Sequence, residues 1–209
     1  MGSKRKIIVA VTGASGAIYA ETLLERLQGV ENELAEVAVV FTENAKDIWK
    51  YELGDERQTT NDERIKVYDN KDFYAPFASG SSKYDTMIVC PASMGMLGRI
   101  AAGVADDLIT RAADVMLKER RRLIMVPRET PYNLIHINNM KLLTEAGAII
   151  LPATPSFYSK PKNIRELVLT VVDRVVDLAG FEADGYRWGE AYDEEGKRKK
   201  EKEDRALKN

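Results

Sequence analysis

Few residues in this 209-residue chain can cross-link, ligate metal or span a bilayer. There is one cysteine, Cys90, and one histidine, His136. A single thiol excludes an internal disulfide, and without a Cys/His cluster the sequence offers no ligand set for zinc; no metal is expected. No apolar run approaches the roughly 18 residues of a membrane-spanning helix, and no secretory pattern opens the chain. Met1-Gly2-Ser3 is not a myristoylation signal, because Lys6 stands where Ser or Thr is needed. A cytoplasmic location is the expectation. Neither charge sign dominates: 31 Lys plus Arg face 33 Asp plus Glu, a formal net charge of −2. Non-specific nucleic-acid binding needs a basic face and is therefore not expected.

What is present is an alternation of strand-like and helix-like segments on a length that suits one domain. β-Branched apolar runs predict strands over 7–11, 37–41, 65–68, 86–90, 123–126 and 148–151. Helical spacing predicts helices over 17–27, 44–53, 93–102, 106–119, 134–145 and 163–179. The fold class is α/β, a Rossmann-like three-layer arrangement with a mainly parallel sheet. Residues 1–189 read as a single domain. From Glu190 onward almost nothing is apolar, so 190–209 reads as a disordered or solvated charged tail.

An open parallel sheet binds ligands just past the carboxyl ends of its strands. Pro127-Arg128-Glu129-Thr130-Pro131 follows such a strand, which places Arg128 and Glu129 where anion binding and proton transfer would be sought. The ordinary alternative is a surface Arg-Glu pair. Thr12-Gly13-Ala14-Ser15-Gly16-Ala17 joins the first strand to the first helix, and its small residues let a phosphate approach N–H groups at the positive helix end. The spacing is not GxGxxG, so a mononucleotide fits as well as NAD; a tight packing turn is the plain alternative. Tyr158 and Lys162 have the Tyr-x-x-x-Lys spacing of short-chain dehydrogenases, but Pro161 between them breaks a helix.

Ala78-Ser79-Gly80-Ser81-Ser82 is a second small-residue loop able to cradle a phosphate or a flavin edge. In Cys90-Pro91-Ala92-Ser93-Met94-Gly95-Met96, Ser93 is placed as a helix N-cap or a ligand contact. Cys90 reads as a buried strand residue rather than a nucleophile, since nothing nearby would lower its pKa. Arg111 and Lys118 share one helix face, with Asp107 and Asp114 four residues before them as ordinary pairing partners. Tyr158 and Arg174 come from separate elements that could close on a phosphate. His136 reads as structural.

Taken in order, these motifs, with Leu117-Lys118-Glu119-Arg120-Arg121, Phe157-Tyr158 and Arg187-Trp188-Gly189-Glu190, resemble the UbiX-type flavin prenyltransferase family from about Lys6 to Glu190. The resemblance implies a flavoprotein-type fold and the transfer of a dimethylallyl group from dimethylallyl monophosphate to N5 and C6 of reduced FMN. The prenylated product would pass to a UbiD-type decarboxylase. By resemblance, Gly13, Ala14, Ser15, Thr42, Ser93, Met94, Gly95, Met96 and Arg128 hold FMN. Ser79, Gly80, Arg111, Lys118, Glu129, Tyr158 and Arg174 surround the prenyl phosphate. Glu52, Glu129, Lys118 and Ser15 form the catalytic set, and Phe73 stands where many relatives carry Trp. The family often has Cys and Thr where this chain has Ala92 and Met96, and methionine cannot donate a hydroxyl hydrogen bond. The resemblance also implies trimers packed into a dodecamer with sites at subunit interfaces. The competing readings are a relative of the flavin-dependent cysteine decarboxylases, for which His136 is the only histidine available, and a non-catalytic FMN carrier.

Overall fold

A computed structural model describes residues 4–30, 32–54, 62–182 and 185–187. The charged tail and Trp188-Gly189-Glu190 lie outside the described residues. The predicted strands are all present: β1 (Arg5–Val11), β2 (Leu34–Phe41), β3 (Ile65–Tyr68), β4 (Tyr84–Ala92), β5 (Arg122–Pro127) and β6, shortened to Ile149–Ile150. They form one sheet in the order β3-β2-β1-β4-β5-β6, every neighbouring pair parallel. Ile7 to Val11 and Met87 to Cys90 are buried on both faces, as expected where helices cover both sides of a parallel sheet.

The helices fall into two layers. On one face α1 (Ala17–Gln28), α2 (Glu43–Leu53) and α6 (Ile164–Ala179) pack Leu23, Leu27, Trp49, Val172 and Val175 against Ile7, Val9 and Val39. On the other face α3 (Met94–Ala101), α4 (Leu108–Lys118) and α5 (Leu134–Glu145) pack Leu97, Ile109, Val115 and Leu143 against Ile8, Ala10 and Val89. Consecutive βα units change face between β1 and β4. That reversal opens a crevice at the carboxyl edge, the position at which such sheets take their ligands. Among the described residues no helix is long and apolar enough to cross a membrane.

Two expectations for α4 need correction. Asp107 does not pair with Arg111: it caps α4 through the Thr110 N–H (2.8 Å) and binds Arg99 (2.8 Å). Asp114 pairs with Arg111 at 3.0 Å, not with Lys118, which turns to Glu119 at 2.5 Å. The reason is geometric, since a first-turn carboxylate gains more from the open helix N–H groups than from an exposed i,i+4 pair.

α4 ends in a Schellman turn, with Arg120 N–H on the Leu117 carbonyl and Arg121 N–H on that of Met116. Arg120 thereby takes a left-handed conformation, φ 56, at a position where glycine is usual. Left-handed backbone costs a side-chain-bearing residue about 1–2 kcal/mol, and glycine's extra unfolded-state freedom returns part of that. Arg120→Gly is therefore expected to raise unfolding stability by about 0.5–1 kcal/mol. Denaturant midpoints of the two proteins measure it, and a less stable variant would contradict the strain argument.

Candidate functional site

At the crevice the two diverging loops are fastened by one buried side chain. Thr12, 1% exposed, donates its hydroxyl to the Pro91 carbonyl (2.9 Å) and accepts from the Ser93 N–H (2.7 Å). Its own N–H reaches the Pro91 carbonyl at 3.3 Å. The Cys90–Pro91 and Thr130–Pro131 peptides are cis. Ser93 caps α3 as expected, accepting from the Met96 N–H at 3.3 Å. The first-turn N–H groups of Met94 and Gly95 have no intrahelical acceptor and face the crevice end of the helix. Gly95 is exposed, and a Cβ there would meet nothing within 4 Å, so a ligand can approach the backbone closely. Gly13 is constrained on its other side: a Cβ would lie 2.7 Å from Asn44 Cβ in the first turn of α2. Thr42 caps that helix through the Ala45 N–H (3.2 Å).

The end of α2 supplies the site's central carboxylate. Glu52 accepts from the Gly16 N–H (2.9 Å) and the Ala17 N–H (2.7 Å) at the start of α1. The Ser15 hydroxyl bonds to it as well, and Arg128 lies close enough to act on its charge. Burial pushes the Glu52 pKa upward, but these donors and Arg128 outweigh it and hold the carboxyl below its ordinary value. The N–H groups that the sequence offered to a phosphate at α1 are thus taken by Glu52, which leaves α3 as the open anion-binding helix end. Arg128 donates Nε to the Ser15 carbonyl (2.9 Å), and its N–H binds the Ala92 carbonyl (3.2 Å). Glu129 beside it is exposed, its carboxylate accepting from the Thr130 N–H at 2.9 Å.

The residue set is a fit for FMN: an uncommitted helix N-terminus, an open glycine, and Arg128 against the loops. Met94 and Met96 could meet it only through the main chain, because both side chains are buried in the core beneath α3 and α4. The absent hydroxyl at Met96 is therefore not replaced by its thioether. Ala14 is likewise packed inward. Cys90 is fully buried and its thiol is pushed up to about 12 by that burial, as a structural cysteine should be. His136 is held in a capping box with Asn133 at the start of α5. Two residues at the site escaped the sequence reading. Thr12 has no local signature, since its partners lie some 80 positions away. Tyr19 lies beneath Gly16, where a Cβ would sit 2.9 Å from its ring.

The other predicted phosphate ligands lie elsewhere. Ser79, Gly80, Arg111 and Lys118 do come together: Arg111 Nε binds the Ala78 carbonyl (2.9 Å), and a Cβ on Gly80 would fall 2.8 Å from Lys118 Nζ. Gly80 and Lys118, however, stand at the amino edge of the sheet, where Arg121 spans the Gly80 and Tyr84 carbonyls. β4 runs nine residues from that edge to the crevice, roughly 25 Å. No side chain bridges such a gap. Tyr158 is exposed on the loop after β6, and Arg174 lies exposed on α6, in the opposite helix layer from Arg111. The Lys118 cluster at the amino edge and Arg174 on the opposite helix layer therefore lie apart, whereas the loop carrying Tyr158 leaves from the crevice edge, where the Ala153 N–H meets the Pro127 carbonyl at 2.9 Å. Phe73, also exposed, lies on the loop leading to Ser79.

A Flavoprotein family model matches residues 1–176. The flavin prenyltransferase UbiX of Methanocaldococcus jannaschii is 46% identical, over 88% of this chain and 98% of the relative. The structure of AnUbiX (PadA1) in complex with FMN and dimethylallyl pyrophosphate is 40% identical, with TM-score 0.75, covering 88% of this chain and 100% of its own. A dodecameric FMN-dependent UbiX-like decarboxylase from Escherichia coli O157:H7 is 38% identical, with TM-score 0.79, covering 87% and 98%.

The Glu52 contacts set an acid limb. Because its folded pKa is lowered, its contribution is complete above its ordinary value of 4.5 and is lost as pH falls through the folded value. Below pH 4.5 the Tm of the wild type should fall more steeply than that of Glu52→Gln. Parallel acid limbs in a thermal-melt series would show that the carboxylate is not held by α1.

Proposed function

The chain belongs to the UbiX flavin prenyltransferases within the Flavoprotein family, and from that membership we propose a division of the reaction among its named residues. It is a metal-independent prenyltransferase acting on reduced FMN with a dimethylallyl phosphate. The observation that carries the residue assignment is the crevice in which Ser15, Glu52 and Arg128 converge beside the open first turn of α3. Gly13, Ala14, Ser15, Thr42, Ser93, Met94, Gly95, Met96 and Arg128 would hold FMN there, the two methionines through main-chain atoms. When bound, the reduced flavin supplies the N5 and C6 edge that is alkylated.

Breaking an allylic C–O bond builds negative charge on the departing phosphate. Arg111 and Lys118 stabilise that charge, with Tyr158 and Arg174 as further donors, while Ser79 and Gly80 shape the pocket. Glu129 passes a proton to the departing phosphate. Glu52, ionised near neutrality and bonded to Ser15, accepts the proton released during ring closure. A carboxylate stabilised in this way is a weak base, and it suffices because the hydrogen on C6, once that carbon has been alkylated by the prenyl cation, is very acidic. A single phosphate group matches the few cations available, so we infer dimethylallyl monophosphate as the preferred donor. A UbiD-type decarboxylase is the inferred recipient of the prenylated product.

Groups held as far apart as Lys118 and Arg174 can supply one site only if neighbouring copies meet, so the working form is a homo-oligomer, with trimers building a dodecamer. α5 fits that role, exposing Leu134, Ile135, Ile137 and Leu142 while burying Leu143.

Anaerobic incubation with reduced FMN and dimethylallyl monophosphate should add one prenyl unit to the flavin by mass spectrometry. Lys118→Ala and Glu129→Ala should keep FMN while single-turnover transfer slows roughly 100-fold or more. Bound FMN that stays unmodified with the folded oligomer would favour a carrier or a cysteine decarboxylase instead. The shared site is checked by mixing: co-assembled Lys118→Ala and Arg174→Ala chains should regain activity that neither variant has alone. No recovery in assemblies of confirmed mixed composition would mean that Lys118 and Arg174 of any one site come from the same chain.

A further inference from the structure

At the amino edge of the sheet, away from the flavin crevice, lies a second concave feature. A groove of about 520 Å³ is lined by Arg5, Asp85, Thr86, Arg120, Arg121, Arg122, Gly147 and Ile149. Four guanidinium groups share it with one lining carboxylate. Arg5 is fully engaged: it grips Asp85 at 2.6 and 3.0 Å, Thr86 Oγ1 at 2.8 Å and the Ala179 carbonyl at 2.8 Å. Arg121 spans the Tyr84 carbonyl (3.0 Å) and the Gly80 carbonyl (2.5 Å). Arg122 commits one nitrogen to the Ala179 carbonyl at 2.7 Å, leaving the rest of its fork open. Arg120 makes no side-chain hydrogen bond or ion pair among the described residues.

Asp85 is bonded to Arg5 and lies close enough to act on Arg122 as well, and that single carboxylate leaves an excess of guanidinium groups in a cavity of small-ligand size. Two of them, Arg120 and Arg122, retain the planar N–H forks that match phosphate oxygens. The backbone adds a separate argument. Arg120 occupies a left-handed turn position that glycine fills at lower cost, so a cation is kept there against the local conformational preference. We propose that this groove is a second anion site, distinct from the flavin crevice, which takes a phosphate group through Arg120 and Arg122. The phosphate is either the free inorganic ion or the end of a small phosphate monoester.

The test uses the full-length, FMN-loaded protein, titrated calorimetrically with inorganic phosphate and with ribose 5-phosphate at constant ionic strength. Arg120→Gly combined with Arg122→Ala should weaken groove binding at least tenfold, with FMN content and prenyl-transfer rate unchanged. Because Arg120→Gly relieves the turn, the melting temperature of that single variant should not fall, which separates a lost site from a lost fold. Tighter binding of inorganic phosphate would assign the free ion; tighter ribose 5-phosphate would assign a monoester. Identical titrations of wild type and double variant overturn the proposal. So does phosphate binding that disappears in Lys118→Ala yet survives in the double variant, which would give all of it to the Lys118 cluster. Retention on a heparin column without saturable phosphate binding would mark the groove as a polyanion surface and overturn it too.

Discussion

The hydroxyl of Thr12 is the constraint on which the flavin crevice depends. β1 and β4 are neighbours whose following helices leave toward opposite faces, so their loops have every opportunity to separate. One buried side chain on the first loop donates to the Pro91 carbonyl and accepts from the Ser93 N–H, both on the second. Losing it would strand the Ser93 N–H, a cost of about 1–3 kcal/mol, and leave the Pro91 carbonyl only the Thr12 N–H. The direction of α3's first turn, the seat of Arg128 on Ala92 and the grip of Arg128 on Ser15 all follow from that fixed separation. The crevice is thus set by hydrogen bonds within the rigid sheet edge, and the ligand meets it already formed.

Much of this architecture was legible in the order of residues. Strands of Val and Ile buried on both faces, separated by amphipathic helices, admit few folds other than a parallel sheet with two helix layers. Ser93 ahead of a helical run could be read as a cap, and Cys90 inside an apolar strand as inert, because both depend on near neighbours. Thr12 could not be read, because its partners come from a strand end distant in sequence. Nor could the capture of α1's N–H groups by Glu52, which lies 35 residues further on. The Asp107 and Asp114 pairings failed for a related reason. The i,i+4 rule ranks surface partners but says nothing of a competing helix terminus or of Arg99 arriving from α3.

The dispersal of the phosphate ligands has a physical origin in the same fold. A helix following a parallel strand must run back toward the edge where the next strand begins. Lys118, ten residues beyond Leu108 at the start of α4, is therefore carried about 15 Å along the helix toward the amino edge, and Arg111 only about 5 Å. Periodicity showed that they share a face; the sense of the helix decides which edge that face serves. Rigid sheet and rigid helix leave no hinge by which the two groups could be folded together in one chain.

That separation has a genetic consequence. In the symmetric assembly proposed above, a substitution in α4 would leave its own chain's flavin loops untouched and degrade the sites of its neighbours. Chains encoded by two different alleles would then distribute the damage, an evenly mixed assembly leaving about half of its sites with a sound α4 whichever allele supplied their flavin loops. Selection on any of these residues then acts on the assembly as a unit, and no chain can drift at its cationic face without altering the chemistry that others perform.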